Sequence, residues 1–267
     1  MTSKPDINPE DEMAGSEQPF MSHLIELKDR LTRIIIGIAV VAIAFAIWPG
    51  MNNLFNFLLE PLTSQMPTGD TPIGYHVLSP FITPMKVLFM TALFVALPYV
   101  LYQIWAFVAP GLYRHERRWI LPLVVSSTLL FFSGVAFCYY FVFGKVFAFV
   151  LSVAPDSIKY MPDIDSYVGF AINMFLAFGI AFEVPIVVVV LVRMGIVELE
   201  KLRSIRGYVI VASFVVAAIV TPPDVISQLA LAIPMCLLYE IGLLVSKLVT
   251  PKPDNGNDEQ QTQSTGS

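Results

Sequence analysis

Charge is what this sequence has least of. Only 14% of its 267 residues are Asp, Glu, Lys or Arg, while 56% are hydrophobic; an ordinary soluble domain carries roughly a quarter charged residues. A water-soluble globule of this size has no means of hiding so much apolar surface, so the chain requires a lipid solvent. Cysteine is nearly absent too. Cys138 and Cys236 both lie in apolar runs, where a thiol behaves as a small hydrophobe, and no disulfide is expected. The three histidines, His23, His76 and His115, are scattered, so no metal site is expected. Nucleotide and covalent chemistry lack their motifs as well. Gly144-Lys145 has neither the earlier glycine nor the following hydroxyl residue of a phosphate loop. His115-Glu116-Arg117-Arg118-Trp119 has Trp119 where a zinc-protease helix needs its second histidine, and Gly-x-Ser-x-Gly does not occur. No internal repeat of the secondary-transporter kind is visible. Neither an enzyme nor a cofactor is implied.

The long apolar runs are the dominant positive feature. Six stretches approach the roughly 20 residues that a helix needs to cross hydrocarbon, near Leu31–Pro49, Pro84–Val108, Trp119–Phe143, Gly169–Val192, Gly207–Thr221 and Val225–Val245. None shows the alternation of a barrel strand, so an all-α polytopic membrane protein is expected. The fifth stretch reaches only about 22 Å, short of about 30 Å of hydrocarbon. Pro98, Pro122, Pro185 and Pro234 interrupt the spans and predict a curved bundle. Thirteen of the 16 Lys and Arg residues fall on the side of the N-terminus, against Lys86, Lys145 and Lys159 on the other, which predicts both termini in the cytoplasm. Acidic residues 1–20 and polar residues 250–267 are expected to be flexible tails around a membrane domain over 21–249. The first twenty residues lack a basic region followed by a short apolar one, so the first span is expected to be retained.

Two details frame that domain. Leu24, Leu27, Leu31 and Ile34 recur at spacings of three and four, predicting an amphipathic helix that enters the bilayer, with Ser22 placed to cap it. Leu54-Phe55 and Phe57-Leu58-Leu59 before Pro61 suit a helix lying on the outer membrane face.

Five motifs now stand in order along the chain. They are Ser22-His23-Leu24-Ile25-Glu26-Leu27-Lys28, Ser79-Pro80-Phe81, Pro110-Gly111-Leu112-Tyr113-Arg114-His115-Glu116-Arg117-Arg118, Phe182-Glu183-Val184-Pro185 and Thr221-Pro222-Pro223-Asp224. Together they resemble the TatC family, the large core subunit of the twin-arginine translocase, from about Ser22 to about Leu248. The resemblance implies a receptor in the bacterial inner membrane. It would bind signal peptides bearing two consecutive arginines on folded precursors. Small single-span TatB-like and TatA-like subunits, and further copies of the chain, would be its partners. The proton motive force would drive export, with no nucleic acid involved.

Several residues carry specific expectations. Glu26 and Glu116 both fall on the side of the termini, and two separated carboxylates suit two guanidinium forks. Their basic neighbours, Lys28 and Arg30 for Glu26 and Arg114, Arg117 and Arg118 for Glu116, leave local ion pairing as an equal reading from the residues alone. The resemblance assigns both acids to the twin-arginine site and adds Phe107, Leu112 and Arg117. Phe107 also fits an interfacial aromatic belt. Glu183 falls well inside the fourth span, where a carboxyl is costly and needs a wet cavity or a polar partner. It either bonds backbone freed by Pro185 or meets a partner's transmembrane helix, the role that the resemblance implies. Asp224 is placed to cap the last helix, with Gln228 one turn on. The resemblance makes Asp224, Gln228, Thr221, Phe81 and Pro61 export-critical; for Pro61 a plain turn is the alternative. Lys86 stands near a helix start, where a cation is unfavourable. A small-solute transporter or channel is the rival reading, but it predicts several intramembrane charges and only Glu183 is deep.

Overall fold

The computed structural model describes residues 9–63, 74–108, 120–153, 163–221 and 224–249. Five helical runs are long and apolar enough to span a membrane: His23–Ile47, Ser79–Val108, Ile120–Val150, Ile164–Arg193 and Val225–Leu248. A shorter apolar helix, Arg206–Val220, brings the passes to six, in agreement with the all-α polytopic expectation.

The first helix, α1 (Pro9–Ile47), begins within the acidic stretch expected to be flexible. Proline suits a first helical position, where its missing amide hydrogen would be unpaired in any case. Ser22 therefore lies inside this helix rather than at its N-terminus, where the unpaired amide donors of a helix are found. Helix α2 (Met51–Thr63) occupies the predicted external segment. Its apolar run is turned onto the bundle as well as outward: Leu58 and Leu59 are buried, while Phe57 is exposed.

Helix α3 (Ser79–Val108) contains Pro84 and Pro98 and packs on α1. The third pass is α4 (Ile120–Phe137), a π turn (Cys138–Phe143) and α5 (Gly144–Val153). Cys138, Val142, Phe143, Val146 and Phe147 are all buried; a wider turn lets neighbours four and five apart share one face. The fourth pass breaks at Glu183 into α6 (Ile164–Phe182) and α7 (Val184–Arg193), because Pro185 supplies no amide hydrogen to continue the ladder. A short α8 (Leu199–Ser204) turns the chain into α9 (Arg206–Val220) and α10 (Val225–Val249), the last containing Pro234.

Neighbour follows neighbour: α1 on α3, α3 on α4, α4 on α6, α7 on α10, and α10 on α9. The main core sits where α3, α4, the π turn and α6 meet, around Phe94, Phe131, Phe143, Phe175 and Phe178. The outer helices α1 and α9 keep broad apolar faces exposed, including Ile36, Val40, Tyr208 and Ile219. Lipid is the solvent that such faces require.

Candidate functional site

Helices α1 and α3 meet along a regular seam. Three residues seven apart on α1, His23, Arg30 and Gly37, oppose three residues four apart on α3, Phe107, Gln103 and Tyr99. The His23 and Phe107 rings stack with centroids 4.3 Å apart. Arg30 Nη1 donates to Gln103 Oε1 at 3.3 Å. Gly37 has no side chain, and a Cβ there would meet the Tyr99 ring at 2.8 Å.

Glu26 sits on this seam, one helical turn before Arg30. The Nε and Nη2 of Arg30 both donate to Glu26 Oε1, at 2.9 and 2.6 Å. The pair is half-exposed. The local ion pair suggested by the residues is therefore present, but it engages one carboxylate oxygen. Oε2 has no partner among the described residues. A cavity of about 340 Å³, lined by Ile25, Glu26, Asp29, Arg30 and Arg33, opens beside it. Phe107 is tied to the same end of α1 by its stack on His23. Leu112, Glu116 and Arg117 lie outside the described residues.

Glu183 occupies the helix break. Its backbone N–H donates to Ile180 O at 3.0 Å, and its side chain caps neither flanking helix. The expected bond to backbone freed by Pro185 is thus not made. Both carboxyl oxygens are buried without a partner in hydrogen-bonding geometry among the described residues. Ser127 of α4 is close enough to act on the carboxyl, and its hydroxyl also accepts from Trp105 Nε1 at 3.0 Å. An unsatisfied carboxyl at this depth costs a few kcal/mol until a donor or acceptor reaches it.

The other end of the bundle holds a second polar group. Lys86 Nζ donates to both oxygens of Asp165, at 2.8 and 3.0 Å, and Thr83 Oγ1 donates to Oδ1 at 3.1 Å. This accounts for a cation near the start of α3: its counter-charge comes from the first turn of α6, where an acid complements the dipole. Asp163 caps α6 by accepting from the hydroxyl and backbone N–H of Ser166 at 2.7 and 3.0 Å. These bonds, the hydroxyl's first, hold its carboxyl below the usual range. Asp224 Oδ1 accepts from Ser227 N at 2.7 Å, which makes it the cap expected for α10. Gln228 Nε2 donates to Phe214 O at 3.3 Å and ties α10 to α9. Thr221 is buried, its hydroxyl bonded to Ala217 O at 2.8 Å. Phe81 is exposed. Pro61 is inside α2, so it does not form a turn; its side chain lies outside the described residues.

The candidate residues thus divide into separate groups. Glu26 and Phe107 share one end, Glu183 is buried mid-bundle, and Phe81, Thr221, Asp224 and Gln228 belong to the opposite end. Along α3, Phe81 and Phe107 are about 39 Å apart at 1.5 Å per residue. The sequence reading missed Gln103, His23 and Asp165 as partners. Arg30 was legible at one-turn spacing from Glu26, but nothing local marked the other three.

Similarity to known proteins bears on this arrangement. Residues 22–234 match the family described as TatC, Sec-independent protein translocase protein. A Sec-independent protein translocase protein TatC of Haemophilus influenzae is 47% identical over 92% of this chain and 97% of its own. That of Escherichia coli K12 is 46% identical, over 89% of this chain and 92% of its own. A solved structure described as the twin arginine translocase receptor TatC superposes with a TM-score of 0.74 at 36% identity, covering 86% of this chain and all of that one.

Proposed function

The chain belongs to the TatC family of Sec-independent protein translocase proteins, and from that premise we propose that it receives twin-arginine signal peptides at the α1–α3 seam. The observation that carries this reading is the cavity beside Glu26. It offers a half-exposed carboxylate with one oxygen uncommitted among the described residues, at the end of the bundle where α3 and α10 finish. A guanidinium approaching Glu26 Oε2 would complete a second charge-assisted bond without first displacing Arg30. Glu116 would take the other arginine, with Arg117 beside it. Phe107 and Leu112 would pack the apolar part of the peptide.

The remaining candidates fit a role in assembly. Glu183 has an unmet demand for a polar partner, which a transmembrane helix of a TatB-like or TatA-like subunit would answer. Pro61, Phe81, Thr221, Asp224 and Gln228 would then shape the far end, where partner subunits and further copies of the chain assemble for export of folded precursors driven by the proton motive force. The excess of Lys and Arg on the side of the termini supports a bacterial inner-membrane location with both ends cytoplasmic.

The test is photo-crosslinking of a precursor in inverted membrane vesicles. A hydrogen bond to a charged group contributes about 1.5–3 kcal/mol, so Glu26→Ala and Glu116→Ala should each weaken signal-peptide crosslinking about tenfold or more while insertion is retained. Replacing the peptide's Arg-Arg by Lys-Lys should do the same. Unchanged crosslinking in both acid variants would remove the receptor role from these residues.

A further inference from the structure

Pro61 lies inside α2 rather than after it. A proline has no amide hydrogen, so the carbonyl four residues earlier, that of Phe57, loses its helical donor. The Tyr139 hydroxyl donates to that same carbonyl at 3.3 Å. The Tyr139 ring also lies over Phe57, with centroids 5.4 Å apart and planes 8° from parallel. One residue on, the buried Tyr167 hydroxyl donates to Leu58 O at 2.8 Å. Unlike Phe57 O, that carbonyl also faces an ordinary amide, that of Leu62.

Tyr139 reaches α2 from the π turn. The wider turn directs Cys138, Val142 and Phe143 into the core together and leaves Tyr139 partly exposed beside α2. Two departures from regular helix, a proline on one element and a π turn on another, therefore meet in a single hydrogen bond.

We propose that Pro61 and Tyr139 act as one unit that fixes the external helix α2 on the bundle, which makes Tyr139 a positioning residue for export. Proline exposes the carbonyl and the tyrosine hydroxyl occupies it; Tyr167 is an independent second tie. The proposal rests on the reading of Pro61 as export-critical, and it supplies that reading with a cause. The exposed carboxylate of Glu60 faces the same hydroxyl, so it is the competing acceptor that the experiment has to separate.

The experiment places a cysteine at the exposed Asn56 of α2, in native membranes with the partner subunits present. It reads the labelling rate by a membrane-impermeant maleimide alongside precursor export. Tyr139→Phe keeps the ring stack and should raise labelling by about two- to tenfold, the range that one net hydrogen bond supports. In a Pro61→Ala background, residue 61 supplies the missing N–H, so Tyr139→Phe should add nothing. Tyr167→Phe should raise labelling equally in both backgrounds, and Glu60→Ala should leave the effect of Tyr139→Phe unchanged. The proposal is overturned if Tyr139→Phe acts equally in both backgrounds, acts in neither, or loses its effect on Glu60→Ala. Full export by Pro61→Ala would end the export-critical reading alone, since the labelling cycle reads the placement of α2 directly.

Discussion

Glu26 shows how one carboxylate is held in place without both of its oxygens being engaged among the described residues. Arg30 holds one of its oxygens and is itself held by Gln103 across the seam, which restrains the carboxylate that lines the cavity. Asp224 is the opposite case, a charged residue whose bond is wholly local. Its cap on Ser227 N accounts for Asp at that position, and losing a cap of this kind costs about 1 kcal/mol. Thermal unfolding should therefore fall for Asp224→Ala and stay near the parent for Asp224→Asn, since an amide oxygen caps equally well. If Asp224→Asn folds normally and still loses export, the charge serves something besides the cap. The cap was legible because donor and acceptor are three residues apart. The partner of Lys86 was not, because Asp165 lies on another helix, 79 residues further along the chain.

At the scale of elements, close helix crossings depend on glycines whose neighbours differ in how far they can yield. An ideal Cβ at Gly134 of α4 would stand 2.5 Å from the backbone oxygen of Phe178 on α6, and one at Gly179 of α6 would run into the Phe131 ring. The two contacts form a reciprocal lock between α4 and α6, and a backbone atom cannot step aside. Gly134→Ala should cost about 1–3 kcal/mol, the usual range for overpacking. Gly37→Ala, which meets only the half-exposed ring of Tyr99, should cost less. Gly207→Ala faces open space and should be neutral or stabilising. Thermal unfolding of the three variants in detergent would rank them; equal losses at Gly134 and Gly207 would show that the crossing does not limit stability. Sequence periodicity located these helices but not their crossings, because a glycine in an apolar run looks the same whether it faces a backbone or a lipid tail.

For the whole molecule, solvent determines the design. Six apolar passes can coexist only if the outward faces of α1 and α9 meet hydrocarbon, and the distribution of basic residues predicts which end faces the cytoplasm. Cysteines at the exposed positions Tyr75 and Glu198, at opposite ends of the bundle, should label from opposite sides. Tyr75→Cys should react in intact cells, and Glu198→Cys only after permeabilisation. The reverse pattern would invert the topology and deny the α1–α3 seam its ligand. Helix α9, at fifteen residues, remains too short for a full crossing by about 8 Å, so either the bilayer thins there or a neighbouring helix shields its ends.

The amino-acid sequence alone determined the solvent, the six passes, the expected orientation and the cap at Asp224, because burial demand, helix length, charge asymmetry and capping are all read within a few residues or over whole runs. Tertiary structure decided which distant groups meet: Arg30 with Gln103, His23 with Phe107, Lys86 with Asp165, Tyr139 with the carbonyl that Pro61 orphans. Each of these pairs joins two helices whose relative rotation and depth follow from side-chain packing across their interface. No short stretch of either helix contains that information.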